Sequence, residues 1–275
     1  MPHDLCTPQA GEPLLERLLP LLREAGQRLL SRQPSRARHD ASLMRQCVDE
    51  AGTSTLRHLG QALRAQWPDV PVFPAGLTPD RLPAVTGLYW LCDPLDGAIQ
   101  YLAGLPMWTC NLTLMQGAEP LLALVHDACL DRSYHALRGQ GAGCDGEAIR
   151  CSEAPPLALA TLGTSFPNVP PRPQAEVDDF LGHLARTVPA VLAQRWIGSA
   201  TLSLALVACG RLDAYWECGR HLVDWLPGLL IAREAGATVS GLGTVPLGEP
   251  GSGLLAAPAA LHRQLLDLWQ PGAPR

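Results

Sequence analysis

The stretch YWLCDPLDGAIQYLAG, Tyr89 to Gly104, constrains this chain more than any other. An apolar run enters it, two carboxylates three residues apart bracket Pro94-Leu95, and Gly97 precedes a segment of helical character. Pro94 fixes its own φ and keeps the chain extended, so Asp93 and Asp96 can converge where a strand ends. Hard oxygen ligands in that arrangement suit Mg²⁺, which takes few protein carboxylates and keeps positions for water and phosphate. Gly97 lets backbone approach closely, and a helix starting at Ala98 aims free N–H groups at an anion. The spacing alone leaves a second reading open, a tight turn whose acids cap the next helix.

Asp224 adds a third acid. It stands in RHLVDWLPGLLIAREAGA (220–237), just before a segment read as a helix from about Leu226 to Ala235 that ends at Gly236. An N-cap is the commoner role for such an Asp. Three acids at loop-to-helix junctions also make the carboxylate set of a two-metal phosphoryl-transfer centre.

Bulk properties exclude several alternatives. With 275 residues, 47% hydrophobic and 17% charged, the chain has ample core for one large domain or two small ones. A net charge of −5 argues against a nucleic-acid or anionic-membrane surface. All 21 basic residues are Arg, which removes a Schiff-base or P-loop lysine. None of the nine Cys forms a CxxC pair, and Cys92, Cys110 and Cys209 sit in apolar runs, so free thiols in a reducing compartment are expected, without zinc. The N-terminus lacks a basic segment followed by an apolar one, and no apolar run reaches about 18 residues, so a cytoplasmic protein is expected.

Leu spacing predicts a helix over 13–33, kinked at Pro20, and a second from about Ser54 to Gln66. Residues 69–87 read as a short strand plus loop. Strands are predicted at Leu88–Cys92, Thr109–Met115, Leu121–Asp127 and Ser133–Ala136, with Gly-rich hairpin turns at 139–149. Pro-rich segments at 155–156 and 167–173 separate two sub-lobes, approximately 13–153 and 157–265, within one domain spanning 1–275. The second alternates strand (Ala160–Ser165), helix (Ala175–Thr187), strand (Gln194–Ile197), helix (Ser199–Cys209) and strand (Ala214–Trp216) before the Asp224 segment. Layered α/β or α+β architecture follows from that order.

DPLDG (93–97) resembles the DP-[IL]-DGT motif of the inositol monophosphatase family, and VDWLPGLLIAREAGA (223–237) resembles its WDxAAGxLIxxEAGG motif. GQGAGCDGEAIRCS (139–152) and GSATLSLALVACGRLDAYWECGRH (198–221) resemble further family segments, in order. The resemblance covers roughly 13–265 and implies an αβαβα sandwich, a homodimer, Mg²⁺ as cofactor and a small phosphorylated metabolite as substrate. It implies that Asp93 bridges two metal ions, that the Leu95 carbonyl binds the first, and that Asp96 and Asp224 hold the second. The N–H groups of Gly97 and Ala98 would cradle phosphate. Gly198, Ala200 and Glu217 fall where the family contacts a polyol, with Ser165 near a similar position. Without the resemblance, Glu217 reads as a surface charge at a strand end.

The departures cluster. Where the family has a Thr after DG, orienting the attacking water, this chain has Ala98. Where the family has a Glu on the first metal, counting from Trp67-Pro68 gives Ala75, with Gly76 beside it. A supporting family Asp maps to Gly52, with Asp49 and Glu50 close by. Val223 replaces a Trp, and Pro227 falls in the first turn of the predicted helix. Reduced activity on the family's usual substrates is expected, unless Asp80, Asp49 or Glu50 serves as a substitute ligand. A member that binds a phosphorylated ligand or a protein partner without turnover is the alternative.

Overall fold

The computed structural model describes residues 11–35, 41–75, 82–167, 171–219, 221–243, 245–249 and 252–270. Leu14, Leu18, Leu22, Ala25 and Leu29 recur at helical spacing and are all buried, which makes α1 (Gly11–Leu30) an amphipathic helix with one core-facing stripe. Ala51, Thr55, Leu59 and Leu63 do the same for α2 (Ala41–Gln66). This helix starts well before the expected Ser54, because the helical spacing of apolar residues reaches back through Val48.

Both helices lie on one face of a seven-stranded sheet. Its strands are β1 (Val72–Pro74), β2 (Leu88–Asp96), β3 (Thr109–Gln116), β4 (Glu119–Asp127), β5 (Arg132–Leu137), β6 (Ala142–Cys144) and β7 (Glu147–Ile149), in spatial order β1 to β7. The β1–β2 pair is parallel and the other pairs are antiparallel. A five-residue helix, α3 (Ala98–Leu102), follows β2 directly.

The rest of the chain builds a second sheet and four helices: β8 (Thr161–Ser165), α4 (Gln174–Thr187), β9 (Ala193–Trp196), α5 (Ala200–Ala208), β10 (Ala214–Glu217), α6 (Leu222–Glu234), β11 (Thr238–Ser240), β12 (Leu254–Ala257) and α7 (Ala259–Trp269). The strand order is β11-β12-β10-β8-β9. β11, β12 and α7 lie beyond the elements that the sequence pattern predicts.

Helices α5 and α6 are apolar around most of their circumference, which suits a helix covered on two sides. They pack on the first sheet through Leu202, Ala205, Leu230 and Ile231, and on the second through Leu204, Trp225 and Leu229. α4 and α7 cover the outer face of the second sheet around Phe180, Trp216 and Trp269. The layers therefore run α, β, α, β, α, as the expected sandwich requires.

Candidate active site

Strand β2 does not stop before the two acids. It runs through them to Asp96, where Asp93 pairs with Asn111 and Asp96 with Thr109. Residues three apart on β2 thus face residues two apart on β3, a β-bulge. In a regular strand, positions i and i+3 point to opposite faces. The extra residue restores parity and puts both carboxylates on the face of the first sheet that looks toward α5 and α6.

Their surroundings are specific. Asp93 accepts from Asn111 Nδ2 at 3.0 Å and from the Leu95 N–H at 3.3 Å. Asp96 Oδ2 accepts from Ser199 Oγ at 2.6 Å and from the Thr201 N–H at 2.9 Å. Ser199 is also the N-cap of α5, accepting from the Leu202 N–H at 3.0 Å. Asp96 therefore sits at the positive end of a helix from the far half of the chain. Burial pushes the Asp93 carboxyl up to about 7, with the Asp96 charge adding to the rise. Burial raises Asp96 as well, against the opposing bonds from Ser199 and Thr201.

Gly97 has φ 89°, and a Cβ there would lie 2.7 Å from the Met107 carbonyl, so this position requires glycine. Ala98 starts α3 half-buried against the α1–α2 core and presents only a methyl group.

Asp224 departs from expectation. α6 begins at Leu222, earlier than the expected Leu226, and its N-cap is His221, so Asp224 lies inside the first turn rather than capping it. Pro227 accordingly falls beyond the first turn. The Asp224 carbonyl accepts from Thr201 Oγ1 at 2.7 Å, and its carboxylate lies 3.8 Å from His221 Nδ1. Thr201 thus joins Asp96 and Asp224 through one residue. No group of three or more His, Cys, Asp or Glu side chains is set to hold a metal ion among the described residues. Two converging carboxylates with raised pKa are the donor chemistry of one hard cation, and the fit goes no further than that.

The side where the family resemblance places water activation is apolar. The Ala75 N–H donates to the Cys92 carbonyl at 2.7 Å, which places Ala75 beside Asp93, and its methyl packs on a cluster including Tyr89, Leu91 and Met115. A Cβ on Gly52 would stand 3.7 Å from Pro94, so α2 approaches the Pro94 segment at a residue without a side chain. Asp49 and Glu50 are exposed, and Glu50 accepts from Gln46 at 2.8 Å. Asp80 and Gly76 lie outside the described residues.

The polyol positions divide. Ser165 and Gly198 line a cavity of about 180 Å³ beside Gln100. Ala200 is buried at the start of α5. Glu217 is not a surface charge; it is 2% exposed, and its Oε2 accepts from Tyr215 OH at 2.6 Å and Trp225 Nε1 at 3.2 Å. Burial lifts its carboxyl to about 7. Asn111, Ser199 and Thr201 escaped the sequence reading. Only Ser199 carried a local signal, a serine directly before an apolar helix.

The sequence pattern described as the inositol monophosphatase family matches residues 12–270. Inositol-1-monophosphatase of Mycobacterium bovis is 34% identical over 233 residues, covering 81% of this chain and 78% of its own. The Nus factor SuhB of Pseudomonas aeruginosa is 33% identical over 186 residues, covering 67% and 68% respectively. Among solved structures, Mycobacterium tuberculosis SuhB superimposes with a TM-score of 0.74 at 29% identity, over 94% of this chain and 96% of that one. No described helix is long and apolar enough to cross a membrane. With the αβαβα layers and the bulged DPLDG strand, these matches place the chain in the inositol monophosphatase family.

Proposed function

We propose that this chain is a Mg²⁺-dependent phosphomonoesterase acting on a small phosphorylated polyol, sugar or nucleotide, slowed by loss of its water-activating side chains. The observation that carries the reading is the bulge that converges Asp93 and Asp96 and leaves both with raised pKa. Asp93, Asp96 and the Leu95 carbonyl, with Asp224 reaching from α6, would hold the cation. When bound, Mg²⁺ supplies Lewis-acid polarisation of a phosphoryl oxygen. The N–H groups of Gly97 and Ala98 would receive the phosphate, since a glycine with φ 89° leaves backbone open there. Ser199 and Thr201 hold Asp96 in its rotamer, and Asn111 does so for Asp93. Nothing at positions 75 and 98 can accept a proton from water or orient it. A cytoplasmic homodimer belongs to the same reading.

A second reading, a member that binds a phosphorylated ligand or a protein partner without turnover, is favoured by Ala75, whose methyl fills an apolar cluster where an acid is expected. Phosphate release from a panel of small monoesters with Mg²⁺, wild type against Asp93→Asn, separates the two. Release abolished by the substitution supports the enzyme. Release no greater than that of the variant on any ester supports the binding protein.

A further inference from the structure

We propose that the ester taken by this site carries a planar aromatic group beside its phosphate rather than a polyol, and that Trp196 and Ile99 hold that ring. The inference rests on the phosphomonoesterase reading and narrows its substrate class. The cavity opens between the first turn of α3 and the ends of β8 and β9, and is lined by Ile99 and Gln100, the two residues that follow Ala98 on α3. None of the described residues that line it is charged.

A polyol requires hydroxyl-matched donors and acceptors, because each buried polar atom left unpaired is costly. Apart from the Gln100 amide, the side chains that could supply them are occupied with one another. Glu217 accepts from Tyr215 and Trp225, the Ser165 hydroxyl bonds with Tyr215, and Thr164 Oγ1 donates to the Trp216 carbonyl at 2.8 Å. Gly198, expected on the polyol side, is covered by the Gln100 amide, with which any side chain at 198 would collide. Beside the Gln100 amide, the side chains most open to a ligand are apolar: Trp196 is 54% exposed and Ile99 46%.

Trp196 is braced. It meets Phe180 edge-on with centroids 5.3 Å apart, and Phe180 stacks on Phe166 at 4.6 Å and on Trp216 at 5.2 Å. An aromatic wall fixed this way loses little freedom on binding a second ring, and offset or edge contacts with it are favourable. At about 180 Å³, the cavity is below the ~300 Å³ at which drug-sized sites begin, which suits one ring and not a dinucleotide.

The test compares phenyl phosphate with glycerol 2-phosphate, both with Mg²⁺, by calorimetric titration and by phosphate release. The expected result is binding of phenyl phosphate about tenfold tighter, a preference kept by Trp196→Phe and reduced to about twofold by Trp196→Ala and by Ile99→Ser. Melting curves confirm that each variant is folded. Equal affinity, preference for the polyol ester, or a preference surviving Trp196→Ala overturns the inference, and release from glycerol 2-phosphate would then leave the phosphomonoesterase reading intact. Preferential phenyl phosphate binding without release supports the inference and overturns turnover instead. Binding of neither ester overturns both. A Trp196→Ala change that splits a dimer while leaving the preference intact assigns the wall to a second copy and also overturns it.

Discussion

On one side of the cleft every charged group is held. Asp96 receives Ser199 and Thr201, and Asp93 receives Asn111 and the Leu95 N–H. On the other side, Ala75 and Ala98 offer methyl groups, and α2 turns Gly52 toward Pro94. The contrast separates two jobs that a phosphatase centre performs together. Asp96, tied to the start of α5, cannot be lost without loosening the fold, whereas groups that only orient water can be replaced by alanine at no structural cost.

Breaking the polar side is expected to have the largest effect. Asp93→Asn should lower Mg²⁺-dependent phosphate release about 10²–10³-fold, the usual loss for one charge-stabilising group. The same change should raise the melting temperature without metal, since it removes the like charge that Asp93 presents to Asp96. Rebuilding the bare side comes next. Ala75→Glu with Ala98→Thr should raise release about tenfold or more, a part of what two such groups supply when acting as a unit. An unchanged rate in the double variant would mean that the backbone of α2 and β1, and not two side chains, sets the deficit.

The remaining changes sharpen the contrast through stability. Ser199→Ala removes the cap of α5 and a charge-assisted bond to Asp96, and urea unfolding should show a loss of about 2 kcal/mol. Glu217→Gln tests burial alone. A carboxyl raised to about 7 holds its proton longer when folded than when unfolded, so its contribution is full below the unfolded value near 4.5 and is lost as pH rises through about 7. The variant should flatten the fall in melting temperature between about pH 5 and 7, leaving a smaller slope from Asp93 and Asp96, which shift in the same direction.

What the sequence disclosed was local. The DPLDG acids, the leucine stripe of α1 and the apolar strands announce themselves within a few residues. The bulge did not, because Pro94 signals an extended chain and says nothing of which face Asp96 will take. Thr201 and Asn111 were invisible for another reason: they reach Asp96 and Asp93 from 105 and 18 residues away, and no spacing rule spans such intervals. Glu217 looked like a surface charge because Tyr215 and Trp225, which cover it, count as ordinary apolar positions on β10 and α6. The early start of α6 was hidden by Pro227, which suggests a first turn but here lies well inside the helix.

The bond from Ser199 to Asp96 spans 103 residues. The hairpins of the first sheet close over short loops and can form early, whereas this contact requires α5 to arrive from beyond the Pro-rich boundary, and long-range contacts of that kind form slowly. The order of assembly follows: strands first, then the docking of α5, and only with that docking the seating of Asp96. A refolding chain therefore regains its sheet signal before it regains a competent cleft, and a nascent chain released before α5 has emerged carries both acids of DPLDG without the Ser199 and Thr201 bonds that seat the second.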